Sequence, residues 1–148
     1  FTSDGVHLKK GKCTESFFRY NFRSCPDIAQ TVLATCSGLN IPAQFTGVET
    51  LKIKETNRMY AMQKELDDLG FYLNEHDEKW NLGTSGQQEL PPNHQFDTHN
   101  DHRMAMSLTP LCLKYGSVIV NEPFVVTKSY PGFWEDLLSL GFQISELE

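Results

Sequence analysis

Apolar residues along this chain switch between two periods. At residues 17–22 aromatic and polar side chains alternate, the period of a strand. After the turn Ser24-Cys25-Pro26-Asp27, the residues Ile28, Val32, Leu33 and Cys36 fall at helical spacing, with Asp27 placed to cap. Gly38 and Pro42 end that helix, and residues 43–53 read as the next strand. Met59, Met62, Leu66 and Leu69 then recur at intervals of 3, 4 and 3, which predicts an amphipathic helix starting near Arg58. Gly70 closes it as a left-handed cap. Residues 71–74 and 79–82 form a hairpin around Glu75-His76-Asp77-Glu78, and residues 83–95 read as a loop between two subunits of structure. An apolar helix follows Asp101 and runs through Leu113, with Pro110 expected to kink it. Residues 117–120 make a short strand and Val125-Val126 a second extended piece. Ser129-Tyr130-Pro131 opens a last helix, with Pro131 near its first position and Phe133, Leu137, Leu138 and Leu140 on its apolar face. Phe142-Gln143-Ile144 ends as a strand. At the other end, Gly5-Val6-His7-Leu8 already reads as a strand and no Met precedes it, so a piece of a longer protein is expected.

The second half echoes the first. Lys54 follows Asp27 by 27 positions, and Lys128 follows Asp101 by 27. After each Lys a helix ends in matching text, Asp68-Leu69-Gly70-Phe71 and Ser139-Leu140-Gly141-Phe142. This is an internal repeat of roughly 70 residues, too long for a solenoid and suited to a duplicated folding unit. Its equivalent points carry charge at helix starts: Asp27 and Lys54-Glu55-Arg58 in one copy, His102-Arg103 and Lys128 in the other. If the copies pack side by side with the same polarity, four cations (Lys54, Arg58, Arg103, Lys128) meet two carboxylates (Asp27, Glu55). Such a cluster suits a phosphorylated or polycarboxylated substrate, with the carboxylates moving protons. The competing reading is a set of ordinary solvated charges, and for His102 a hydrogen-bonded structural histidine.

The 148 residues suit one domain with a real core, and 39% hydrophobic against 22% charged residues place it among soluble globular chains. A formal net charge of −6 disfavours nonspecific nucleic-acid binding, so any basic cluster is local and aimed at a small anion. Cys13, Cys25, Cys36 and Cys112 show no CxxC spacing, and Cys36 and Cys112 lie in helical apolar patterns. A reducing, cytoplasmic setting is the expectation. No signal-like start and no apolar run of membrane-span length is read. His94, His99, Asp101 and His102 fit no zinc pattern, and no metal is expected. There is no nucleophile elbow, phosphate-cradling GxxxxGK[ST] or GxGxxG, and Met104-Ala105-Met106 reads as core.

Four motifs occur in order: Cys25-Pro26-Asp27-Ile28-Ala29-Gln30-Thr31, Leu51-Lys52-Ile53-Lys54-Glu55-Thr56-Asn57-Arg58, Asn100-Asp101-His102-Arg103-Met104-Ala105-Met106 and Lys128-Ser129-Tyr130-Pro131. Together, from about Asp4 to the end, they closely resemble the C-terminal third of the EPSP synthase (3-phosphoshikimate 1-carboxyvinyltransferase) family. The resemblance implies a partial α/β fold of the enolpyruvyl transferase type, repeated βαβαββ units with mixed sheets packed over internal helices. Residues 1–148 would be the C-terminal part of one such domain, with units at about 14–83 and 95–148. The implied reaction transfers the enolpyruvyl group of phosphoenolpyruvate to the 5-hydroxyl of shikimate 3-phosphate and releases phosphate, in the shikimate pathway to aromatic amino acids. By motif position, Asp27 would take the hydroxyl proton and Glu55 would exchange the C3 proton. Lys54 would contact shikimate 3-phosphate; Arg58, Arg103 and Lys128 would hold phosphoenolpyruvate; His102 would hydrogen-bond nearby. The family needs no metal or organic cofactor, accepts the inhibitor glyphosate in this pocket, and implies a monomeric parent with no nucleic-acid or membrane partner. Thr50 stands where some members carry a substrate-binding Asn, so no role passes to it, and Asn57 replaces a frequent Asp. The family enzyme has two domains with its site in the cleft between them, so this portion alone is expected to be inactive. The alternative is a non-catalytic structural domain with weak anion binding.

Overall fold

The computed structural model describes residues 5–7, 9, 11, 14–84, 86, 90 and 94–146. The aromatic alternation forms β1 (Phe18–Asn21), which pairs in parallel with β2 (Ala43–Thr46), Phe18 opposite Ala43 and Asn21 opposite Thr46. Parallel strands need a long crossover, and α1 (Ala29–Gly38) supplies it. Then α2 (Arg58–Asp67) leads into a hairpin of β3 (Phe71–His76) and β4 (Lys79–Thr84), and the sheet order is β1-β2-β4-β3. The hairpin turns at Asp77 and Glu78, whose φ values of 49° and 59° suit the two-residue turn that matches strand twist. In the second half β5 (Gln95–Phe96) pairs in parallel with β6 (Ile119–Val120). Between them run α3 (His102–Leu108), the 3₁₀ turn Thr109–Leu111 and α4 (Cys112–Tyr115); α5 (Phe133–Ser139) comes last. Apart from the 3₁₀ turns and the short α4 inside the crossovers, both halves run strand, helix, strand, 3₁₀ helix, helix, and the last helix of each is soon followed by a glycine at positive φ, Gly70 at 78° and Gly141 at 93°.

The hydrophobic pattern of α2 is realised: Met59, Met62, Leu66 and Leu69 are each at most 1% exposed. Each such side chain contributes about 1.5–3 kcal/mol when removed from water. They join Phe45, Leu73, Phe96, Met104 and Leu108 in one core that spans both halves. The first helices of the two halves, α1 and α3, lie against each other, with Thr31 Oγ1 3.2 Å from Ser107 Oγ and Gln30 Nε2 donating to Met104 Sδ at 2.9 Å. A smaller cluster of Ala105, Val126 and Phe133 seats α5. Among the described residues no helix is long and apolar enough to cross a membrane.

Several expectations fail for local reasons. The strand at 43–53 stops at Thr46. Gly47, at φ 71°, lies so close to the Asn21 side chain and the Arg23 backbone that a Cβ would collide with both. The chain then winds into a 3₁₀ helix, Glu49–Ile53, in which Leu51 is buried and Ile53 is 84% exposed, so an apolar alternation mimicked a strand. Val125-Val126 is likewise 3₁₀, within Pro123–Lys128, where the proline favours a helical start. Asp27 caps no helix: it sits inside the 3₁₀ turn Pro26–Ile28, and Ile28 precedes α1 without a side-chain cap. Pro110 breaks the long helix into α3, the 3₁₀ turn and α4. Pro131 lies before α5, which starts at Phe133. On α5, Phe133 is buried but Leu138 and Leu140 are 51% and 74% exposed. Residues 142–144 form no strand. Gly83 and Thr84 belong to β4 and Gln95 to β5, and part of the loop between lies outside the described residues. Of the expected first strand, Gly5 forms an isolated bridge, and Leu8 lies outside the described residues.

Candidate active site

Four chain segments deliver the charged groups to one rim. The turn at Pro26–Ile28 presents Asp27. The loop after Glu49–Ile53 carries Lys54 and Glu55, and Asn57 then caps α2 by accepting the Tyr60 N–H at 3.1 Å. In the second half Asp101 caps α3, accepting the Arg103 N–H at 2.9 Å, and Lys128 ends the 3₁₀ helix before α5.

Arg58, the first residue of α2, is the hub of this rim and is 2% exposed. Its Nε donates to Asp101 Oδ2 at 2.7 Å and its Nη2 to Asp101 Oδ1 at 3.3 Å. Nη2 also donates to Glu55 Oε2 at 2.8 Å, and Nη1 to Asp27 Oδ1 at 3.1 Å. Only a planar, five-donor guanidinium can serve three carboxylates at once. Arg103 donates to the Asp27 carbonyl at 3.0 Å and to Asp27 Oδ2 at 3.4 Å. Lys54 Nζ lies 3.5 Å from Asp27 Oδ1, and Lys128 Nζ 3.4 Å from Glu55 Oε1. His102 is buried, with Nε2 3.1 Å from Ser129 Oγ and Nδ1 3.9 Å from Asp101 Oδ1. A polar cleft of about 470 Å³ opens beside Glu55, His102 and Lys128, with Asn100, Thr127 and exposed Phe124 on its walls.

All seven residues singled out in the sequence (Asp27, Lys54, Glu55, Arg58, His102, Arg103, Lys128) are thus brought together. They do not play equal parts. Lys54, Arg103 and Lys128 keep 35%, 32% and 67% of their side chains exposed and can turn toward an anion, whereas the Arg58 guanidinium is already filled with carboxylates. Two participants were not foreseen. Asp101, fully buried, was legible as a repeat marker, a rejected metal ligand and part of a motif, but not as the partner of Arg58, although an Asp before a helix is also a cap signal. Ser129 carries no sequence signal beyond its place after Lys128.

Two titrations follow from these surroundings. A hydrogen bond from its own backbone holds the Glu55 carboxyl below its ordinary 4.5; partial burial opposes this, and Arg58 and Lys128 reinforce it. Burial pushes His102 below its ordinary 6.5, opposed by Asp101 and Glu55 and aided by Arg103 and Arg58. Both groups bind protons more readily when the chain is unfolded, so both make folding weaker as pH falls. Loss from His102 begins below pH 6.5, and loss from Glu55 below pH 4.5. Melting temperatures across pH 3–8 should therefore decline in these two windows, and in Glu55→Gln the lower limb should flatten. An unchanged lower limb would contradict this account of Glu55.

The geometry can be set beside known proteins. The profile described as EPSP synthase (3-phosphoshikimate 1-carboxyvinyltransferase) matches residues 3–137. A 3-phosphoshikimate 1-carboxyvinyltransferase of Bacteroides fragilis is 42% identical over 148 residues, covering 97% of this chain and 35% of the relative. One from Methanospirillum hungatei is 36% identical over 121 residues, covering 80% of this chain and 27% of the relative. An EPSP synthase structure from Acinetobacter baumannii superposes with a TM-score of 0.64 at 21% identity, over 78% of this chain and 27% of that one, a likeness of fold. The chain thus spans about a third of the length of the first of these relatives.

Proposed function

This chain belongs to the EPSP synthase (3-phosphoshikimate 1-carboxyvinyltransferase) family, and on that premise we propose that its charged rim is one wall of the site where an enolpyruvyl group passes from phosphoenolpyruvate to shikimate 3-phosphate. The observation that carries this reading is the meeting of cations from both repeats around Asp27 and Glu55. Arg103 and Lys128 are assigned to the phosphate and carboxylate of phosphoenolpyruvate, and Lys54 to shikimate 3-phosphate beside its reacting hydroxyl. Arg58, expected from the resemblance to hold phosphoenolpyruvate directly, is assigned first to ordering the three carboxylates. His102 stays neutral and hydrogen-bonds beside the site.

In the proposed reaction Asp27 takes the 5-hydroxyl proton as its oxygen bonds to C2 of phosphoenolpyruvate, while C3 gains a proton from Glu55. Loss of phosphate, which carries off the proton held by Asp27, and return of a C3 proton to Glu55 restore the double bond. In the free chain Glu55 favours the carboxylate. A bound phosphate that draws Lys128 from Glu55 Oε1 removes part of that stabilisation, raises the carboxyl's pKa and readies it to donate.

Residues 14–83 and 95–148 are assigned as repeat units of one enolpyruvyl transferase domain, in a monomeric, cytoplasmic parent. Four cations face three carboxylates on the rim, leaving one net positive charge, so anion binding by the chain alone is weak and salt-sensitive. Most of the rate in such a transfer comes from holding two substrates in reacting geometry and excluding water. The chain alone should give no detectable phosphate release from both substrates, while a family enzyme of full length carrying this segment should turn over and lose activity on Asp27→Ala. Full activity in that full-length variant would refute the proposal. Turnover by the 148-residue chain would refute its inactivity alone.

A further inference from the structure

Glu65 lies late in α2 and is 3% exposed. A buried carboxylate needs donors, and each oxygen has one. Oε2 accepts the backbone N–H of Asp97 at 3.0 Å, and Oε1 is 2.8 Å from His99 Nε2. That contact needs one hydrogen, and the ring nitrogen can supply it. The segment gripped in this way has an unusual backbone: His99 and Asn100 sit consecutively at positive φ, 50° and 55°, a region that His and Asn enter more readily than most residues but as single residues rather than runs. Asp97 Oδ1 accepts the His99 N–H at 2.7 Å, and the Thr98 carbonyl accepts the Asp101 N–H at 2.9 Å. Asp101, His102 and Arg103 follow directly. Glu65 belongs to the first repeat and the turn to the second, so the grip crosses between them.

We propose that Glu65 is a positioning residue for the anion-binding rim, fixing the turn at residues 97–100 so that His102 and Arg103 stand beside Asp27 and Glu55. The proposal rests on the reading of that rim as the phosphoenolpyruvate site. The lever is short: only the Asp101 cap separates the gripped turn from His102 and Arg103. Of the Arg103 bonds to Asp27, the one to the carbonyl is ordinary at 3.0 Å, while the one to the carboxylate, at 3.4 Å, is near the limit of hydrogen-bond reach. A turn released from Glu65 has the extended region open to His99 and Asn100, and relaxation there would swing the start of α3. A purely stabilising Glu65 would lower the melting temperature and leave the rim of the folded molecules unaltered.

The test compares the 148-residue chain with its Glu65→Ala and Glu65→Gln variants, well below their melting temperatures. Two quantities are read by NMR: hydrogen exchange of the Arg103 amide without ligand, and phosphoenolpyruvate affinity from shifts at His102 and Arg103. Glu65→Ala should speed Arg103 exchange about tenfold and weaken phosphoenolpyruvate binding about tenfold, the scale of one lost charge-assisted bond. Glu65→Gln, which keeps one acceptor, should fall between. Unchanged exchange and affinity in a folded Glu65→Ala chain would overturn the proposal even if that chain melted earlier. If Glu65→Ala does not fold, Glu65→Gln and His99→Ala decide by the same readings. If the parent chain binds no phosphoenolpyruvate, the rim reading fails by itself, and Arg103 exchange still decides whether Glu65 sets the turn.

Discussion

Arg58→Ala should remove about 3–5 kcal/mol of folding stability, the cost of leaving a buried charge without its partner. Asp101 is fully buried and receives two of its bonds from Arg58, so alanine leaves that carboxylate with the Arg103 N–H as its remaining hydrogen-bond donor among the described residues. Asp27 and Glu55 lose a shared donor in the same step. Total stabilities of domains lie near 5–15 kcal/mol, so the variant should unfold at much lower urea or not fold. Arg58→Lys should recover little, because one ammonium cannot span three carboxylates in fixed directions. Urea unfolding measures this directly. A loss below about 1 kcal/mol would mean that the carboxylates had found other partners.

Glu55→Gln should produce a large kinetic effect. In a full-length family enzyme carrying this segment, the chemical step should slow by roughly 10²–10⁴-fold, the usual contribution of a placed proton carrier. Glutamine keeps the size and can still accept from Arg58 Nη2, so substrate affinity should change much less. Arg103→Ala should do the reverse, weakening phosphoenolpyruvate binding more than it slows chemistry. Single-turnover rates separate the two effects. Normal turnover in Glu55→Gln would remove Glu55 from the proton-transfer path.

The strongest periodicities in the sequence were honoured by the fold. The α2 stripe and the hairpin follow from apolar spacing and turn residues. What misled was the short 3₁₀ helix. In both Glu49–Ile53 and Pro123–Lys128 a few apolar residues imitate a strand, because so short a run cannot reveal its period. The site residues were legible as types and positions, since repeat spacing and family motifs pointed to the same charges. Their division of labour was not. Arg58 reads in sequence as one cation among four, and only burial shows that Asp101 claims it. Asp27 reads as a helix cap, yet its oxygens go to cations 31 and 76 residues away. Glu65 draws no reading from the sequence, because its partners lie more than 30 residues downstream. Contacts of that range leave no local pattern.

The central claim is that cations from both repeats form one anion site. Titrating the isotope-labelled 148-residue chain with phosphoenolpyruvate at low salt, followed by NMR, tests it most directly. Shifts should concentrate at Lys54, Arg103, Lys128 and their neighbours Asp27 and Glu55, share one dissociation constant, and fade as salt is added. Shifts confined to one repeat, or no saturable shift at these residues at low salt, would contradict the account.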